Sequence, residues 1–152
     1  SIIPRGQALG YVLKFPDEDR YLLSQKELED KITTLLAGRA AEQVIFKEIT
    51  TGAKDDLKKA TSIAREMVCS YGMSPLGTLA LDEYYIKYNY DTIRLEIKKI
   101  TDRTYGRALE LIQDNLQILH TIAERLLEKE TIDSQELDLI FKKYQRTTNY
   151  AM

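Results

Sequence analysis

Apolar residues recur every three to four positions through most of the chain after residue 23. Leu28, Ile32, Leu35, Leu36, Val44 and Ile45 mark one face of a helix running to about Phe46. Ser24 and Glu27 stand three apart just before that run, an S-x-x-E capping box that fixes where the helix starts. A second stripe begins near Ala53 with Leu57, Ala60, Ile63, Ala64, Met67, Val68 and Tyr71, and Gly72 is suited to end it. Asp91 opens a long helix with Ile93, Ile97, Ile100, Thr104, Ala108, Leu111 and Ile112 on its inner face. A break at Asp114-Asn115 separates it from a helix carrying Leu116, Leu119, Ile122, Ala123, Leu126 and Leu127. Asp133 and Glu136 start a last helix through Leu137, Ile140, Phe141 and Tyr144.

The front of the chain has a different rhythm. Ser1–Ile3 and Gly10–Phe15 read as short strands, separated by Pro4-Arg5-Gly6 and closed by Pro16-Asp17. Two strands this short need a third strand or a packed helix beside them. Residues 73–90 hold tyrosines at 84, 85, 88 and 90 with no helical period, and read as a loop or short extended excursion. The expected fold is mainly α: a bundle of about five helices with a small N-terminal β element. Two bundles are expected, one over 24–71 and one formed by the long helices over 91–128.

Composition narrows the function. A net charge of −2 argues against a dedicated nucleic-acid binder. The single Cys69 excludes an intrachain disulfide framework and a cysteine zinc finger, and fits a reducing compartment. No apolar run approaches the ~20 residues needed to span a bilayer. No serine lies in a nucleophile elbow, and the glycines do not form a phosphate loop. Cys69 lies beside Val68 on an apolar helix and reads as core. His120 is a lone helical histidine and reads as a surface or boundary residue. The tyrosines read as cover for a hydrophobic edge or a partner subunit.

The stretch TTGAKDDLKKAT poses the main chemical question. A carboxylate in the first turn of a helix is stabilised by the free N–H groups and the helix dipole, so Asp55 and Asp56 read first as helix-capping residues. The sharper reading is a metal ligand. A carboxylate oxygen is a good zinc ligand beside two imidazoles, with water in the open position. Glu42 follows GRAA among Ala40, Ala41, Val44 and Ile45, which makes part of its surroundings apolar.

Four stretches, in order, resemble one family: IIPRGQALGYV, LLAGRAAEQVIF, TTGAKDDLKKATSIAREMVCSYGMS and DNLQILHTIAERLLEKETID. They are similar to the peptidase domain of FtsH-type ATP-dependent zinc metalloproteases, and the resemblance runs through nearly the whole chain. It implies a single mainly helical peptidase domain over 1–152, with a metal-proximal part over 1–72 and a C-terminal helical part over 91–145. It implies zinc held by two histidines of an H-E-x-x-H helix, whose glutamate is the general base, and by an aspartate from a later helix. That aspartate falls on Asp56, while Asp55 occupies a helix-start position. Glu42 matches a carboxylate next to the zinc helix that could orient a ligand histidine. Gly10, Tyr11 and Val12 fall in an extended stretch where substrate could add as a strand.

The resemblance further implies an upstream ATPase using ATP and magnesium, a homo-hexamer, unfolded and membrane proteins as substrates, and a membrane anchor upstream. The peptidase would lie on the cytoplasmic side of a bacterial membrane, or belong to a mitochondrial or chloroplast membrane. H-E-x-x-H does not occur in these 152 residues, so no catalytic residue is expected in this chain and the chain alone is expected to be inactive. The sequence opens on SIIPRG without a methionine, and the motif is expected just before Ser1. Loss of the motif in a degenerate relative and a disordered helix are the alternatives. If the motif is lost, the chain would be an inactive helical scaffold that supports ring assembly.

Overall fold

The computed structural model describes residues 1–4, 6, 10–12 and 22–148. Among them are six α-helices: α1 Gln25–Phe46, α2 Lys54–Cys69, α3 Glu83–Tyr88, α4 Tyr90–Asp114, α5 Leu116–Lys129 and α6 Ser134–Thr148. They fall into two compact units, one containing α1–α4 and the other containing the N-terminal residues with α5 and α6.

Helix α1 starts where its capping box dictates. The Ser24 hydroxyl accepts from the Glu27 N–H at 3.3 Å, and the Glu27 carboxylate accepts from the Ser24 N–H at 2.8 Å. Its stripe of Leu28, Ile32 and Leu36 is buried, with Leu35 packed at the margin. Ala60, Ala64, Met67, Val68 and Cys69 of α2 and Ile93 and Ile100 of α4 complete the core of this unit. Outside the core, Glu29 and Asp30 of α1 pair with Arg103 and Arg107 of α4, and the Tyr105 hydroxyl donates to Gln43 at 2.6 Å. These pairs are half exposed and serve register more than stability. Thr104 is buried in mid-helix with its hydroxyl on the Ile100 carbonyl at 2.8 Å, which spares it an unmet polar group.

The chain turns sharply after α2. Gly72 has φ +63°, and a Cβ there would come within 3.2–3.3 Å of the Gly77–Thr78 backbone, so glycine is needed on both counts. In the other unit, α5 and α6 pack side by side. Glu136 of α6 receives Lys129 at 2.9 Å, the Thr121 and Tyr144 hydroxyls bond at 2.7 Å, and Ile140 is buried. The Asp133 side chain accepts from the Glu136 N–H at 2.8 Å, the helix start expected from D-x-x-E.

Three expectations change. The long helices over 91–128 do not form a bundle of their own: α4 packs on α1 and α2, and α5 on α6. Within 73–90 there is a further helix, α3, because the Asp82 carboxylate accepts from the Tyr85 N–H at 2.7 Å and nucleates a turn. Its tyrosines stay exposed, with Tyr84 and Tyr88 ring centroids 4.5 Å apart. The N-terminal strands are not formed among the described residues, and 13–15 lie outside them. Ser1 and Tyr11 exchange two backbone hydrogen bonds, at 2.9 and 3.0 Å, but the next N–H, that of Ile2, turns to the Glu130 carbonyl at 2.9 Å. The ladder therefore stops at one pair.

Truncating Ile32, which has no exposed surface, should cost about 2–5 kcal/mol as Ile32→Ala. Leu95→Ala on the outer face of α4 should stay within about 0.5 kcal/mol. Urea denaturation of the two variants measures the contrast.

Candidate metal-ligand site

Asp55 and Asp56 lie in the first turn of α2, and the two side chains differ in setting. Asp55 is exposed, whereas Asp56 is partly covered. Neither caps the helix. The N-cap position is Ala53, which has no side-chain bond to offer, and the Asp56 carboxylate has no hydrogen-bond or ion-pair partner among the described residues. The capping expected of this pair takes place one turn earlier. Thr50, extended at φ −107° and ψ 177°, accepts the Gly52 N–H on its hydroxyl at 3.1 Å and so caps the short 3-10 turn Thr51–Ala53. That turn leads directly into α2, with the Lys54 N–H closing on the Thr51 carbonyl.

Glu42 grips this loop from the last turns of α1. Its two carboxylate oxygens accept the Thr50 N–H at 3.0 Å and the Thr50 hydroxyl at 2.7 Å. The backbone N–H and then the hydroxyl of Thr50, with a smaller contribution from Arg39, hold the Glu42 carboxyl below its ordinary range despite partial burial. A carboxylate receiving two bonds from one residue fixes that residue's orientation as well as its position. Gly52 completes the turn: a Cβ there would stand 3.3 Å from the Thr50 hydroxyl and 3.8 Å from a Glu42 oxygen.

Sequence reasoning passed over Thr50. The signal was present in T-T-G-A: a threonine two residues before glycine, at the foot of a helical stripe, is a threonine-turn pattern. The adjacent acidic pair, a stronger helix-start cue, drew the assignment away from it.

Cys69 is buried in the core of the α1–α4 unit, as a packing residue would be. His120 is exposed on α5, in the other unit. Gly10, Tyr11 and Val12 belong to that other unit too; Gly10 is close enough to Ser1 that a Cβ would meet the Ser1 carbonyl at 3.0 Å, and Val12 is exposed. Among the described residues no three His, Cys, Asp or Glu side chains are grouped to hold a metal ion, and no helix is long and apolar enough to cross a membrane. The donor chemistry at Asp56 thus fits one zinc ligand: a hard oxygen on a fixed turn, with no donor bonded to it among the described residues.

Comparison with known proteins agrees with the sequence motifs. Residues 1–140 match peptidase family M41. The chain is 50% identical, over 94% of its length, to the ATP-dependent zinc metalloprotease FtsH 2 of Thermoanaerobacter sp. (strain X514). It is 47% identical, over 94% of its length, to the ATP-dependent zinc metalloprotease FtsH of Thermotoga maritima, and 44% identical, over 95%, to FtsH 4 of Synechocystis. The matched region is 28%, 26% and 26% of those three proteins, so the chain spans about a quarter of the curated relatives it matches. An identity this high, over a match this continuous, is not produced by shared helical composition: the chain belongs to peptidase family M41.

Proposed function

We propose that this chain forms part of the peptidase of an ATP-dependent zinc metalloprotease, with Asp56 as one protein ligand of the zinc. The observation that carries the reading is the Asp56 carboxylate itself: partly covered, without a partner among the described residues, and set on a turn that another side chain fixes. Family membership supplies the rest of the reading. The imidazole ligands and the general-base glutamate are assigned to an H-E-x-x-H helix outside these 152 residues, and 1–152 is taken as one peptidase domain.

When bound, zinc polarises the scissile carbonyl and lowers the pKa of its water. The task of this chain is to present a carboxylate with little freedom. Glu42 holds the loop before α2, and the reading gives it the further role of orienting a ligand histidine. Gly10, Tyr11 and Val12 are proposed to line the path of an extended substrate; the backbone exchange between Tyr11 and Ser1 supports an extended local conformation there, the seed of the small β element expected from sequence. Unfolded and membrane proteins as substrates, a homo-hexamer, an ATP- and magnesium-dependent upstream domain and an upstream membrane anchor complete the proposal for the whole protein.

In the full-length protein Asp56→Ala should lose zinc, by atomic absorption, and lose proteolysis of an unfolded substrate. Asp55→Ala should keep both. Retention of zinc by Asp56→Ala would remove this residue from the ligand set. A separate expectation concerns pH. The Glu42 carboxyl is held below its ordinary value of 4.5, so its grip on Thr50 is intact above that pH and is lost as pH falls through the lowered value. The Thr50 amide resonance should titrate with a midpoint below 4.5, and Glu42→Gln should flatten that titration.

A further inference from the structure

The core does not reach the end of α2 that carries Asp56. Ala60 is the first buried residue of that helix, and Lys54, Asp55, Leu57, Lys58 and Lys59 are all exposed. Burial against α1 and α4 therefore fixes α2 from Ala60 onward and leaves its first turn to other restraints. Ala53 gives that turn no side-chain cap. One such restraint is the linkage from α1 through Glu42 to Thr50 to Gly52 and so into α2.

We propose that Thr50 is the positioning residue for the metal-ligand carboxylate of Asp56. The inference rests on the reading of Asp56 as a zinc ligand. Thr50 does three things at once. Its N–H and its hydroxyl proton both go to Glu42, and a hydroxyl lone pair receives the Gly52 N–H. A simple helix cap needs only the last of these. The first two attach the cap to a different helix through a charge-assisted pair of bonds, so the start of the 3-10 turn is registered to α1 instead of to local chain geometry. The hydroxyl is the shared atom: remove it, and the link from α1 to the Gly52 N–H is cut while the backbone bond to Glu42 stays. Serine keeps every one of these bonds, whereas valine keeps the shape and only the backbone bond.

The test uses the full-length protein loaded with zinc, and reads the rate at which zinc passes to a colorimetric chelator at fixed pH. Thr50→Val should release zinc about 10–100-fold faster, the usual effect of removing a group that orients a ligand. Thr50→Ser should restore release to within about threefold of the unsubstituted protein, a rescue expected if the hydroxyl and not the methyl is what matters. Glu42→Gln should also release zinc faster, and the double variant Glu42→Gln/Thr50→Val should be no faster than the quicker single one, because the two act through one linkage. Helix content by circular dichroism confirms that each protein is folded; if Thr50→Val is not, Glu42→Gln with Thr50→Ser carries the test. Zinc retention by a folded Thr50→Val at the normal rate overturns the proposal, as does a Thr50→Ser variant that loses zinc as fast as Thr50→Val. Asp56→Ala separates the two readings. If it keeps its zinc, the ligand assignment falls; if it loses zinc while Thr50→Val and Glu42→Gln hold theirs, the positioning role alone falls.

Discussion

Three helices can share one dry interface only if some of their contact positions are small. In the α1–α4 unit that condition is met on α2, where Ala60 and Ala64 are buried and let the helix approach Ile32 and Leu36 of α1 and Ile100 of α4. Met67 then fills the space that the alanines leave open, as its flexible side chain suits it to do. A larger residue at either alanine would separate the helices. The Asp56 turn depends on this interface, because α1 carries Glu42 and α2 carries Asp56. Their relative position is fixed first by packing and only then refined by hydrogen bonds.

The parts of the fold that were legible in the sequence are those governed by neighbours along the chain. The Ser24–Glu27 box, the break at Asp114-Asn115 and the Asp133 start all appear where the residues put them, since a cap closes within three residues. The stripe on α4 identified its inner face correctly through Ile93, Ile100, Thr104 and Ala108. It could not say which helix would cover that face. A periodic pattern measures orientation about an axis and carries no partner identity, so α4 was assigned to the wrong neighbour. The α3 helix was hidden for a related reason: its three tyrosines, Tyr84, Tyr85 and Tyr88, are all exposed, and Ile86 alone packs against the core, too little to set a helical period. Only the Asp82 cap announced it, and a single acidic residue in a polar loop is a weak signal.

The site was legible to a different degree. Family resemblance picked out Asp56 and Glu42, while pattern alone favoured a helix cap for both aspartates. The structure gives the capping to Thr50 and leaves the Asp56 carboxylate without a partner among the described residues. That is a physical distinction the linear sequence could not make. Whether a first-turn aspartate caps its helix depends on the φ and ψ of the preceding residues, and here Thr50 already takes the extended N-cap conformation five residues before the acidic pair. Glu42 is the converse case: its eight-residue separation from Thr50 is too long for any helical pairing rule, so its partner became visible only when the chain had turned.

This arrangement also explains why a ligand carboxylate would sit on a weakly packed turn. Placed further along α2, at the level of Ala60 or Ala64, a carboxylate would lie in the dry interface and would be driven to protonate, or would weaken the packing. At the first turn, only partly covered, it keeps access to water and to a metal. The same exposure deprives it of the restraint that burial gives. A polar clamp anchored on a packed helix supplies that restraint without drying the site, since hydrogen bonds fix direction where apolar contact fixes only proximity. Ligand chemistry and mechanical support are thereby separated along one helix, the carboxylate on the open turn and the apolar anchor beginning at Ala60. Thr50 joins the two, bonded through Glu42 to α1 on one side and to the Gly52 N–H that leads into α2 on the other.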